Sequence, residues 1–195
     1  MPSRLVELLS DLDRAFSELE IKWYLFGAQA AILYGVARLT ADVDVTVDPG
    51  EHSTAELVGA LGRHGFALRV SPDEDFVRRS RVLPAVHSAT GLPVDVVLAG
   101  PGLEELFLSR RRIIELEGLS VPVAALEDLI AMKLLAGRAK DRDDASALIA
   151  TQLGVLDLNQ LEATLGLLEQ ALDRRDLLPE LQAMVDVARR ARRSR

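Results

Sequence analysis

The 195-residue chain is 49% hydrophobic and 27% charged, a globular balance whose length suits one domain or two small ones. It has no cysteine, which excludes disulfides, thiolate catalysis and sulfur-based zinc sites and fits a reducing cytoplasm. Net charge is −7, but five arginines fall within Arg189–Arg195, leaving −12 on residues 1–188, a poor surface for non-specific nucleic-acid binding.

Leu5, Leu8, Leu9, Leu12 and Phe16 recur at helical spacing and predict a helix over about Ser3–Leu19, with charges that a signal peptide's apolar core would not carry. The longest uncharged stretch, Trp23 to Ala37, is shorter than the ~20 residues of a membrane helix and contains Gly27, Gln29 and Gly35. It reads as a strand, Trp23–Phe26, then a helix, Ala28–Tyr34, so no membrane segment is expected and the location is read as cytoplasmic. Asp42–Asp48, D-V-D-V-T-V-D, alternates strictly, as a half-buried strand does. Ser53 or Thr54 caps a helix that runs to about Arg63 and closes at Gly65. Phe66–Val70, Arg81–His87 and Val94–Leu98 read as strands.

From about Leu103 the pattern turns helical. Leu126, Leu129, Ile130, Leu134 and Leu135 line one helix that Gly137 terminates. A second helix begins at Asp141, the stripe Leu161, Leu165, Leu168 and Leu172 marks a third, and a last one starts near Pro179. The fold class is therefore α+β: a small mixed sheet flanked by helices, then a helical C-terminal part. The join is expected between Arg111 and Leu126, giving a core over residues 1–118 and a helical region over 119–195.

Three acids carry the chemistry. Asp42 and Asp44 are two apart in a strand, so both point to one face with alpha carbons roughly 6.6 Å apart. Converging carboxylates can hold divalent cations, which phosphoryl and nucleotidyl transfer use to neutralise a triphosphate. Taken alone, such a pair is more often a solvated strand face. Asp95 is the one charge in the apolar run Leu92–Leu98, an expensive position unless the carboxylate is paired, hydrogen-bonded or metal-bound. On an adjacent strand it would complete a metal site and serve as general base for an acceptor hydroxyl; the alternative is an edge aspartate bonded to local backbone. Gly27-Ala28 sits at a strand–helix junction, where backbone can approach a phosphate or simply turn. Arg38 can contact phosphate or lock its loop, and Thr40 can bond locally.

Leu25-Phe26-Gly27-Ala28-Gln29-Ala30, Tyr34-Gly35 and Arg38-Leu39-Thr40-Ala41-Asp42-Val43-Asp44, followed by the lone Asp95, resemble the polymerase-β-like nucleotidyltransferase superfamily. Within it they look like the bacterial AbiEii/AbiGii-type toxins. Leu126–Lys133 and Arg138–Asp144 agree, so the resemblance spans about residues 20–150. It implies a nucleotidyltransferase fold and transfer of NMP from an NTP to a hydroxyl acceptor: an RNA or tRNA 3′ end, a protein or a small molecule. It makes Asp42, Asp44 and Asp95 ligands of Mg²⁺ (or Mn²⁺) and catalytic acids, and Gly27 the phosphate-loop glycine beside Ala28. Arg38, Thr40, Lys133 and Lys140 face the nucleotide, with Asp141 and Asp144 shaping its pocket. A cognate antitoxin is the expected protein partner. Ala28 departs from the superfamily's Ser or second Gly and removes a hydroxyl. That departure motivates a rival reading, a non-catalytic domain that binds a nucleotide or a partner; antibiotic modification is a third.

Without the resemblance, Lys133 reads as a snorkelling lysine, and Asp141, Asp143 and Asp144 as an acidic first helical turn. His52, His64 and His87 fall in no ligand spacing and receive no role.

Overall fold

The computed structural model describes residues 2–70 and 79–194, so Arg195 of the basic tail lies outside the described residues. In chain order the elements are α1 (Arg4–Glu18), β1 (Trp23–Phe26), α2 (Gly27–Leu33), β2 (Val43–Val47), α3 (Thr54–Arg63), β3 (Phe66–Leu68), β4 (Val82–His87) and β5 (Pro93–Leu98). After them come α4 (Leu103–Arg110), β6 (Arg112–Leu116), β7 (Leu119–Val123), α5 (Leu126–Ala136), α6 (Ala139–Gln152), α7 (Leu158–Leu172) and α8 (Leu177–Arg193). The chain divides into two compact units, one of Met1–Gln29 with Leu39–Ala124, the other of Ala30–Arg38 with Ala125–Arg195. No helix among the described residues is long and apolar enough to cross a membrane.

The first unit is built on a seven-stranded mixed sheet in the order β3-β4-β5-β2-β1-β7-β6, with β2/β5 and β1/β7 parallel and the other pairs antiparallel. Register partners in a sheet share a face, so the pairings sort the side chains. Trp23 and Leu25 lie opposite Val47 and Val45, and Val43 and Val45 lie beside Val94 and Val96. Leu83 and Ala85 continue that face across β4. All these residues are buried. α1 packs on this side: Phe16 meets Trp23 with ring centroids 5.7 Å apart, and the Trp23 indole donates to Asp13 at 3.1 Å. His87, unassigned from sequence, is buried on the same face. One ring nitrogen is 3.1 Å from Asp11 of α1 and the other 2.9 Å from Thr90, which ties the helix to the β4–β5 turn. Ser53 caps α3 through a full capping box with Glu56.

One sequence expectation is corrected here. The chain does not turn helical from Leu103 onward: after α4 it makes the hairpin β6–β7, and β7 joins the sheet beside β1. The hairpin carries the first unit to Ala124.

The second unit is helical. Gly137, at φ +64°, ends α5 with its N–H on the Lys133 carbonyl, so Lys133 and Lys140 sit on separate helices rather than on one continuous face. Leu161, Leu165 and Leu168 are buried, whereas Leu172 is exposed. The described arginines of the basic tail, Arg189, Arg190, Arg192 and Arg193, are exposed on the last turns of α8, the helix end that favours cations.

The core of the second unit contains charges. Lys133, Asp141 and Asp144 are 8%, 1% and 5% exposed, burial that ions tolerate only when paired. The Lys133 ammonium donates to Asp141 Oδ1 at 3.3 Å and to Asp144 Oδ2 at 2.7 Å. Asp144 is also paired with Arg38, and Asp141 with Arg138. Gln152 donates to the Tyr34 carbonyl at 2.7 Å, so two bonds pin the segment Ala30–Arg38 to α6. Burial pushes the Asp141 carboxyl up, but the Arg138 hydrogen bond and the Lys133 and Arg138 charges outweigh it and hold it below the usual aspartate range.

Lys133→Met takes the shared ammonium from two buried carboxylates and leaves each with only its arginine, which should cost about 3 kcal/mol in denaturant melts. A depressed acid stabilises above its unfolded pKa of about 3.9, and that contribution disappears as pH falls through the folded value. Asp141→Asn should therefore lower stability at neutral pH and flatten the loss of stability below about pH 4, as measured by melts across that range.

Candidate functional site

The parallel pairing of β2 with β5 sets Asp44 directly beside Asp95, on the face opposite α1. Adjacent strands lie about 4.8 Å apart, so two carboxylates project side by side from one rung of the sheet. Asp42 precedes β2 by one residue and is exposed, its backbone N–H on Thr40 Oγ1 at 3.2 Å, the local bond expected of that threonine. These are hard oxygen donors of the kind that hold Mg²⁺ or Mn²⁺, and Asp44 and Asp95 are half-buried, open enough to admit a hydrated ion. The donor set fits such a cation in chemistry and backbone placement. Among the described residues, however, no three Asp, Glu or His side chains are grouped so that they could hold an ion as they lie.

Asp95 already has a partner. Of the conditions set from sequence for a charge in this apolar run, the structure shows a pairing: the Asp95 side chain is 41% exposed and ion-paired with Arg69. Arg69 follows β3 and is absent from the sequence-derived site. It belongs to the same rung. Its N–H donates to the Pro84 carbonyl at 2.9 Å, Pro84 is the register partner of Asp95, and Asp95 that of Asp44. Nothing local in the sequence marks Arg69, because its contact depends on two strand pairings, β3 with β4 and β4 with β5.

Gly27 has a sharper role than its turn suggests. Phe26 and Asp44 are register partners, so the residue after β1 passes over the Asp44 side chain. At φ +69°, a Cβ on residue 27 would overlap the carboxylate oxygen and stand 2.8 Å from the Asp44 Cγ. The glycine thus leaves the space that the Asp44 carboxylate fills. Ala28 is buried at the start of α2.

The remaining sequence candidates lie in the second unit. Lys133, which the resemblance makes a phosphate contact, has its ammonium buried between Asp141 and Asp144. Arg38 locks its segment to Asp144. Lys140 is exposed and, with Arg38, Asp143 and Asp144, lines an open cleft of about 320 Å³.

Gly27→Ala should destabilise the protein by at least about 2 kcal/mol, from the left-handed backbone and the steric overlap together. In a double-mutant cycle of thermal melts, Asp44→Gly should recover a substantial part of that loss; strict additivity would show that the two residues do not meet.

A family model described as "Nucleotidyltransferase of unknown function (DUF6036)" matches residues 3–177. No curated protein sequence matches the chain. Among solved structures, the antibiotic-resistance factor ANT(2'')-Ia aligns with TM-score 0.59 and 16% identity over 89% of this chain and 95% of that one. The lincosamide antibiotic adenylyltransferase LnuA aligns with TM-score 0.50 and 17% identity over 73% and 94%. An antigenic nucleotidyltransferase-like protein from Paracoccidioides brasiliensis aligns with TM-score 0.53 and 18% identity over 90% and 91%. At such identities the likeness is one of fold, and it is to the nucleotidyltransferase fold. With its model matched from residue 3 to residue 177, the chain belongs to the nucleotidyltransferase family of unknown function, DUF6036.

Proposed function

We propose that the protein transfers a nucleoside monophosphate from an NTP to a hydroxyl acceptor. The acceptor oxygen bonds to the α-phosphorus, the bond from that phosphorus to the bridging oxygen breaks, and pyrophosphate leaves. Asp42, Asp44 and Asp95 would hold Mg²⁺ or Mn²⁺, which supplies charge neutralisation for the triphosphate. Asp95 takes the acceptor's proton on a carboxylate oxygen. Gly27 keeps the Asp44 carboxylate seated by offering no side chain against it. Lys140, exposed at the start of α6, is the second unit's candidate contact to phosphate, beside Arg38. The observation that carries this reading is the Asp44–Asp95 register, two acids distant in sequence made neighbours on one face.

The narrower form of the proposal is a toxin that modifies an RNA or tRNA 3′ end and is restrained by a cognate antitoxin. It rests on the motif Gly27…Asp42-Val43-Asp44 with Arg138–Asp144. A drug hydroxyl is the second reading, favoured by the fold shared with ANT(2'')-Ia and LnuA across nearly their whole lengths.

With labelled NTPs and Mg²⁺, the protein should transfer label either to total RNA or to an aminoglycoside or lincosamide, and the arm that becomes labelled identifies the acceptor. Asp44→Ala should lower incorporation by about two orders of magnitude or more, as expected when a preorganised electrostatic group is removed. Equal labelling by wild type and variant would falsify the mechanism.

A further inference from the structure

The face opposite α1 carries one straight line of residues across four strands: Arg69 at the end of β3, Pro84 in β4, Asp95 in β5 and Asp44 in β2. Arg69 and Asp95 are two strand spacings apart, about 9.6 Å between alpha carbons. Only a long side chain spans that gap. The residue between them is a proline, whose short ring supplies neither a donor nor bulk to intercept the guanidinium. Arg69 crosses it and pairs with Asp95 Oδ1.

We propose that Arg69 is a positioning residue that sets the site's affinity for its divalent cation, by competing for Asp95. This inference rests on the metal-dependent reading above. A guanidinium and a divalent cation both seek the carboxylate, and a cation held by Asp44 and Asp95 would stand beside a positive charge already in contact with one of its ligands. In this structure Asp95 is ion-paired with Arg69. Binding the ion requires Asp95 to share Arg69 or to release it.

The pair is easily opened. The Arg69 and Asp95 side chains are 40% and 41% exposed, so solvent screens them and the contact is worth little on its own. Such a pair can be exchanged for a cation without rearranging the sheet, whereas the deeply buried Lys133–Asp141–Asp144 cluster cannot exchange so readily. Arg69 thus holds Asp95 in place in the resting site, and Asp95 would have to loosen that pair to hold a cation. A neutral residue at position 69 should leave Asp95 more available and the resting site more avid.

The test is a Mn²⁺ titration of the full chain without nucleotide, read by thermal shift and by the electron-spin signal of free Mn²⁺. Arg69→Gln should lower the Mn²⁺ Kd roughly three- to five-fold, the equivalent of losing one exposed pair. Arg69→Lys should stay within about twofold of wild type, because it keeps the charge. Arg112→Gln, on β6 at the other edge of the sheet, should leave the Kd unchanged. An unchanged or higher Kd in Arg69→Gln overturns the inference, as does an equal gain in Arg112→Gln, which would report net charge alone. Asp44→Asn separates the inference from its foundation: Mn²⁺ binding equal to wild type in that variant, or no binding by the wild type at all, contradicts the metal site itself.

Discussion

The site depends on a parallel pairing between strands that are far apart in sequence. β2 and β5 are separated by α3, β3 and β4, yet their register sets Val43 beside Val94, Asp44 beside Asp95 and Val45 beside Val96. The two strands alternate in phase: valines turn toward α1, acids away from it. A slip of one residue would bury a carboxylate among the valines at a cost of several kcal/mol, so the apolar core fixes the acidic pair as firmly as it fixes itself. Folding and chemistry are therefore coupled through register, and the acids need no specific contact with each other to be neighbours.

The charges of the two units are managed differently. In the sheet unit, Asp95 and Arg69 remain half exposed, and solvent screens their pair. In the helical unit, Lys133, Asp141 and Asp144 form a closed cluster, extended by Arg38 and Arg138, in which each buried charge has an opposite. Removing a member there strands a charge in low dielectric, so the cluster serves specificity of packing, including the docking of residues 30–38 onto α6. Lys133 of α5 bonds Asp141 and Asp144 of α6, so the cluster fastens the two helices to each other.

What could be read from sequence follows the range of the interactions. Local signals were sufficient for a cap at Ser53 or Thr54, which the structure gives to Ser53, for Gly137 at the end of α5, and for the alternating D-V-D-V-T-V-D of β2. The hairpin β6–β7 was hidden for local reasons as well. Its turn residues, Glu117 and Gly118, both have positive φ, but glutamate replaces the usual Asn or Asp there. Pro122 argues against a strand, and β6 lies at the sheet edge with no buried residue to give it alternation. The two acids of the rung were visible as residue types. Arg69, and the fit of Gly27 over Asp44, were not, since both follow from which strands become neighbours.

The central claim is tested most directly by locating the ion. Crystals grown with Mn²⁺ and a non-hydrolysable NTP should show an anomalous peak bonded to carboxylate oxygens of both Asp44 and Asp95, with Arg69 drawn off Asp95 Oδ1. A peak held by neither aspartate, or nucleotide bound with Mn²⁺ on residues away from the β2–β5 rung, would contradict the account.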